Sequence, residues 1–327
     1  MTAFPAAKPE MRSLAAIVLA AFAFGASAQD YPSKSIRLIV PFGPGGPRDI
    51  PARLIGAHLT KVWHQTLIID NRGGANGIIG SDLAAHADAD GYTLLMISAG
   101  FAVNASLYPK LPFDSVRDFA PVAPLSSGPG MFVVTPSLPV KSIGELIEAA
   151  RAHRVDLFYA SSGTGAPSHL SGELFKLMTH IEMTHVPYKG MAVALTDVIA
   201  GRVQLSIPTI PGALPFTRSG KLRALAVTGE KRSPAAPEIP TVAEAGVPGY
   251  SATNWYGISV PARTPPQIIE KLNAQLTQAL TAADTRERML DIGMEPETGT
   301  SARFAEFVKS EIVKWAKVIK ATGLKPD

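Results

Sequence analysis

The chain repeats one structural unit. Ile36–Val40, an apolar run, leads into the turn Phe42-Gly43-Pro44-Gly45-Gly46-Pro47-Arg48-Asp49 and then a helical pattern through Leu54 and Leu59. Val155–Ala160 leads into Ser161-Ser162-Gly163-Thr164-Gly165-Ala166-Pro167-Ser168 and a helical pattern at Leu170, Leu174, Leu177 and Met178. Each unit reads as strand, glycine-rich turn, helix. Backbone N–H groups at a helix N-terminus lack intrahelical partners and favour an anion. Two such turns in two halves of one chain predict one anionic ligand held from both sides.

The first residues have the layout of an export signal. Lys8 and Arg12 supply the positive region, Leu14–Phe24 a short apolar stretch, and Ala26-Ser27-Ala28 a small-residue cleavage site, with cleavage expected after about Ala28. Either Met1 or Met11 serves as a start. The apolar stretch falls short of the roughly 20 residues that span a bilayer, and no later stretch resembles a membrane span, so a soluble, exported protein is expected. The chain has no cysteine, which excludes disulfides, cysteine nucleophiles and thiolate metal sites. The formal charge is +4, and Lys8 and Arg12 against Glu10 leave +3 after removal of the signal. These charges are interspersed, without the basic blocks of a nucleic-acid binder; a mild positive field favours small anions.

Strand and helix patterns alternate: strands at Ile36–Val40, Thr66–Asp70, Thr93–Ile97, Met131–Thr135, Val203–Ile207, Ala224–Val227 and near Trp255–Val260, with helices between them. Such alternation predicts an α/β fold, each part a mainly parallel sheet flanked by helices. Ser142 followed by Glu145 reads as a helix cap. Pro121, Pro124 and Pro129 break the chain into short pieces around Phe119–Gly130. Two long amphipathic helices, Pro266–Ala282 and Ser301–Ala321, close the sequence, with Trp315 on the apolar face of the second. The layout is a signal at 1–28, a discontinuous first domain at 29–126 and 252–327, and an inserted second domain at 127–251. Ligands of open α/β sheets lie beyond the strand carboxyl ends, where both glycine turns fall, so the interdomain cleft is the expected site.

Many segments carry a family resemblance. They include Tyr31–Phe42, Pro44-Gly45-Gly46 with Asp49, Asn71-Arg72, Asp90–Leu95, Leu111–Asp114, His185–Gly190, Gly220–Thr228 and Pro240–Gly246. In this order they resemble the substrate-binding proteins of tripartite tricarboxylate transporters, the TctC-like or Bug group. The resemblance implies a two-lobed periplasmic-binding-protein (Venus flytrap) fold that closes on a small carboxylate, held largely by backbone amides and water. It also implies delivery to membrane transporter subunits, action as a monomer, no catalysis and no cofactor. The first turn departs from the family: Pro47 and Arg48 stand where small residues are usual, and Pro51 removes an N–H near the helix start.

The candidate ligand-binding residues follow from the turns. Phe42, Gly45, Gly46, Arg48 and Asp49 belong to the first; Ser162, Gly163, Thr164, Ser168 and His169 to the second. Arg48 offers a bidentate grip on a carboxylate. Asp49 either holds its own turn or meets a ligand ammonium. The hydroxyls of Ser162, Thr164 and Ser168 contact ligand or cap the helix, and His169, just inside a helix N-terminus, is expected to be neutral. Ser98 reaches the cleft from the third strand, Tyr188 shapes it, and the resemblance adds Asp197. No Gly-x-x-x-x-Gly-Lys-Ser/Thr or Gly-x-Ser-x-Gly motif is present, and His180 and His185, five apart, do not share a helix face for a metal. Two other functions fit the same features: an exported enzyme acting on a carboxylate, in which Ser162 and His169 would pair, and a sensory subunit for a membrane kinase.

Overall fold

A computed structural model describes residues 31–44, 48–152 and 156–325. The export signal and its cleavage site, Gly45, Gly46 and Pro47 lie outside the described residues. From Lys34 onward the chain forms one compact unit.

The first segment runs β1 (Ile36–Val40), α1 (Asp49–Trp63), β2 (Leu67–Asn71), a short 3-10 turn at Ala75–Gly77, α2 (Ile78–Ala85), β3 (Thr93–Ser98), α3 (Ala99–Leu107) and β4 (Phe119–Gly128). The second runs β5 (Met131–Val134), α4 (Ile143–Arg151), β6 (Phe158–Ser161), α5 (Pro167–Thr179), β7 (Thr184–Pro187), α6 (Met191–Ile199), β8 (Leu205–Ser206), α7 (Ile210–Arg218) and β9 (Arg223–Val227). The third runs β10 (Asn254–Pro261), α8 (Pro266–Thr281), α9 (Ala283–Asp291), β11 (Glu295–Pro296) and α10 (Ser301–Thr322). No described helix is long and apolar enough to cross a membrane.

Two sheets result. One has six strands in the order β11-β4-β10-β3-β1-β2, drawn from the first and third segments; the other has five, β7-β6-β8-β5-β9, all from the second. The expectation of mainly parallel sheets is corrected: β1 pairs in parallel with β2 and β3, but β10 runs antiparallel to β3 and β4. The second sheet is likewise mixed, parallel on β6 and antiparallel on β5. The physical reason is connectivity. A chain that leaves one sheet, builds another and returns brings β10 back beside β4 in the opposite sense, with no crossover helix to reverse it.

The strands called for by apolar runs form where expected. Ile36, Leu38, Ile39 and Val40 are fully buried, consistent with a strand covered on both faces. Strand β4 corrects the reading of Phe119–Gly130 as broken pieces. Pro121 lies opposite Ser259 and Pro124 opposite Gly257, both at register shifts in the β4–β10 ladder. A bulge is where a residue without an N–H leaves the ladder intact. The strand expected at Val203–Ile207 contracts to Leu205–Ser206, and the one expected from Val155 begins at Phe158; α9 has no counterpart in the sequence reading.

Helix starts match their caps. Ser142 Oγ accepts the Glu145 N–H at 3.1 Å, and Glu145 Oε2 accepts the Lys141 N–H at 2.7 Å. Helix α1 starts at Asp49, which puts Pro51 in its first turn. The N–H that proline lacks would have no helical partner there, so Pro51 costs the helix no hydrogen bond. Aromatic rings tie α3 to β4: Phe119 meets Phe101 and Phe113 edge-on, with centroids 5.2 and 5.5 Å away. Helix α10 runs past α3, β4 and α5, bringing Trp315 between elements of both sheets.

Candidate functional site

A cavity of about 430 Å³ opens between the two sheets, lined by Phe42, Arg48 and Asn76 on one side and Ser162–Pro167 on the other. The two ends of α3, the segment Ala252–Asn254 leading into β10, Leu170 and Ser171 of α5, Trp315 and Lys325 also line it.

On the first wall the guanidinium of Arg48 lies over the ring of Phe42, its carbon 3.4 Å from the ring centroid. Arg48 Nε donates to Ser98 Oγ at 3.2 Å. Among the described residues no carboxylate pairs with Arg48, and burial lowers its affinity for the proton. Asp49 does not fill that role. It is buried, ion-paired with Arg53 at 2.7 Å, and its Oδ1 accepts from Asn71 Nδ2 at 2.9 Å. Asn71 Nδ2 also reaches the Phe42 carbonyl at 3.0 Å. Asp49 therefore holds the turn, the first of the two roles the sequence left open, and its carboxylate does not line the cavity.

The second wall differs from the picture of free glycine amides. Ser162 N–H donates to Ser168 Oγ at 3.1 Å, Gly163 N–H to Ser161 Oγ at 3.1 Å, and Gly165 N–H to His169 Nδ1 at 2.9 Å. Ala166 N–H closes back on the Gly163 carbonyl. The turn binds most of its own donors and so holds a fixed shape. Thr164, Ser168 and His169 keep N–H groups without a partner among the described residues, and Thr164 lines the cavity.

His169 Nδ1 accepts a hydrogen bond, so its proton sits on Nε2. Burial, with a smaller contribution from neighbouring His185, pushes its pKa down to about 4. The expectation of a neutral histidine agrees with this geometry, though desolvation is the leading cause. His169 is buried behind the turn and does not line the cavity; nor do Ser98, Ser168, Tyr188 and Asp197. Tyr188 hydroxyl donates to Asp197 Oδ2 at 2.7 Å, and Asp197 pairs with Arg202. These bonds, the Tyr188 one first, hold the Asp197 carboxyl below its usual range. Phe42, Arg48, Ser162, Gly163 and Thr164 are the expected residues that the structure brings together on the cavity.

Several lining residues escaped the sequence reading. Asn76 sits in a run of positive φ, Gly74 at 123°, Ala75 at 45°, Asn76 at 52° and Gly77 at 89°, a conformation that alanine rarely adopts. Asn104 pins it: Asn76 Nδ2 donates to Asn104 Oδ1 and Asn104 Nδ2 to the Asn76 carbonyl, each at 2.9 Å. The glycines around Asn76 were the available signal. Ala99 and Gly100 open α3 into the cavity, but no glycine-rich turn marks them. Trp315, expected as core, is both buried and a lining residue, its Nε1 bound to Glu311 Oε2 at 3.0 Å.

Two sheets, the second inserted between β4 and β10 of the first, with a cavity lined from both, are the fold of the two-lobed solute-binding proteins. The chain belongs to the tripartite tricarboxylate transporter receptor family, whose profile matches residues 51–324. It is 37% identical to protein BugT of Bordetella pertussis over 311 residues, 94% of this chain and 95% of BugT. Among solved structures it is similar to R. palustris Rpa4515 with adipate, at 40% identity and a TM-score of 0.74 over 91% of this chain and all of the other. It is also similar to MatC from Rhodopseudomonas palustris with bound malate, at 33% identity and a TM-score of 0.70 over 88% of this chain and all of the other.

Proposed function

We propose that this protein is a periplasmic receptor that captures a small carboxylate in the cavity and delivers it, as a monomer, to the membrane subunits of a tripartite transporter. One lobe comprises residues 29–126 and 252–327 and the other 127–251, and closure about the β4–β10 crossing traps the acid. The carrying observation is a partly buried cation, Arg48, facing the cavity with no carboxylate against it among the described residues. Free N–H groups of the second turn and of α3 add to the positive potential. The adipate and malate named with the two solved relatives support a carboxylate as ligand. Water excluded on closure strengthens each of these contacts.

Binding without turnover is the reading that side-chain pairing supports. Ser162 Oγ meets Ser168 Oγ at 3.3 Å while His169 Nδ1 takes the Gly165 N–H, so serine and histidine are not a nucleophile–base pair. Isothermal calorimetry over mono-, di- and tricarboxylates tests the proposal. A saturable heat of about one equivalent without product is expected; a folded protein with no heat across the series, or product formation, rejects it.

A further inference from the structure

One wall of the cavity concentrates positive charge. Arg48 is the residue immediately before α1, so its backbone lies at that helix's positive end. Its side chain reaches the start of α3: a Cβ added to Gly100 would lie 3.5 Å from Arg48 Nη2 and 3.6 Å from Ser98 Oγ. A guanidinium at the N-terminus of a helix is repelled by the helix dipole unless an anion stands between them. The nearest acid in sequence, Asp49, is engaged by Arg53 and Asn71. With Nε on Ser98 and one face on Phe42, the Nη edge remains for a ligand.

A second observation lies beside it. Asn254 lines the cavity, its Oδ1 is buried without a partner, and its Nδ2 stands 2.5 Å from the Tyr256 hydroxyl. That separation lies below the N–H···O range and at the short end of the O–H···O range. Turned by 180°, the amide accepts the Tyr256 O–H and its NH2 becomes the unpaired group. The Tyr256 ring lies 5.9 Å from the Arg48 guanidinium, and Asn254 and Arg48 line the same cavity. The opposite wall carries its own free donor at the Thr164 N–H.

We infer that the cavity holds two anion subsites and that Arg48 is the specificity-determining residue that reads the ligand's second anionic group, so that diacids are selected over monoacids of equal length. This rests on the carboxylate reading above. The monoanion end is held by the second turn, and Arg48 with the α3 N-terminus takes the distal carboxylate end-on.

Calorimetric titration of succinate, glutarate and adipate, each beside its monoamide, tests the assignment in wild type, Arg48→Gln and Arg48→Lys. A charge-assisted pair of this kind predicts that the best diacid binds about 10- to 100-fold tighter than its monoamide. Arg48→Gln is expected to lower diacid affinity at least about tenfold and monoamide affinity less than about threefold, with Arg48→Lys between. Circular dichroism checks that each variant folds, and the wild-type ratio stands without any variant. Equal wild-type affinities for diacid and monoamide, or an equal loss for both in Arg48→Gln, overturns this inference while the carboxylate reading survives. Failure of every acid to bind overturns both.

Discussion

His169 lies flat against His185, with ring centroids 3.7 Å apart and planes 6° from parallel. Both rings hold the second turn: His169 Nδ1 accepts the Gly165 N–H, and His185 Nε2 meets, at 2.6 Å, the Ser161 hydroxyl that accepts the Gly163 N–H. Protonating His169 removes an acceptor and charges a buried ring beside a second imidazole. Its pKa falls from 6.5 unfolded to about 4 folded. The unfolded chain thus binds more protons between those values, and stability rises with pH across that window. The contribution is complete above pH 6.5 and lost as the pH falls toward 4, on the order of 3 kcal/mol. Urea denaturation at pH 7.5, 5.5 and 4.5 should show this loss, and His169→Gln should flatten it. An unchanged pH dependence in the variant counts against the assignment.

Gly257 sits in β10 where that strand crosses β4. A Cβ there would stand 2.1 Å from Phe304 Cζ and 2.8 Å from the Ala123 carbonyl. The ring could turn, but the carbonyl belongs to the neighbouring strand, so the ladder itself must shift. Gly257→Ala is expected to destabilise the protein by about 3 kcal/mol, the upper range for overpacking. Chemical denaturation measures it, and a loss below about 1 kcal/mol would mean the crossing strands yield more easily than this packing implies.

Local signals marked much of this architecture. The apolar run Ile36–Val40, the Ser142 cap and the glycines of the second turn each act within a few residues, so order in the chain is enough to read them. What escaped depends on contacts distant in sequence. Pro121 and Pro124 look like strand breakers until β10 supplies bulges opposite them. The amides of the second turn look free until Ser168, His169 and His185, brought in by α5 and β7, are placed behind it. The two roles open to Asp49, holding its turn or meeting a ligand, are separated only when Arg53 and Asn71 are placed on its carboxylate. Ala99 and Gly100 carry no motif, because their place on the cavity comes from the way β3 ends beside Arg48.

Asn104 should matter to the cavity although it does not line it. Its two hydrogen bonds hold Asn76 in a left-handed conformation. Asn104→Ala removes both and leaves the strained run from Gly74 to Gly77 without its anchor. A loss of about 1–2 kcal/mol in stability is expected from the two lost hydrogen bonds, because the exposed Asn76 groups they leave can turn to water, with weaker binding of whichever acid the wild type holds. Calorimetry together with denaturation separates the two effects. Wild-type affinity in a destabilised variant would show that Asn76 takes no part in the site.

Ser168 gives the sharpest test of how the second turn works. Its Oγ accepts the Ser162 N–H at 3.1 Å and meets Ser162 Oγ at 3.3 Å, fixing the residue that begins the cavity wall. Its own N–H points from the first turn of α5 with no partner among the described residues. Ser168→Ala keeps that N–H and deletes only the hydroxyl. Stability should fall by about 1–2 kcal/mol as the Ser162 N–H loses its acceptor. Ligand affinity should fall about three- to thirtyfold, because a turn free to rearrange must be ordered again on binding. Ser162→Ala leaves the Ser162 N–H on Ser168 and should cost less on both counts. If Ser162→Ala is the more damaging for affinity while stability is spared, the Ser162 hydroxyl is itself a ligand contact and the turn's shape is the lesser term.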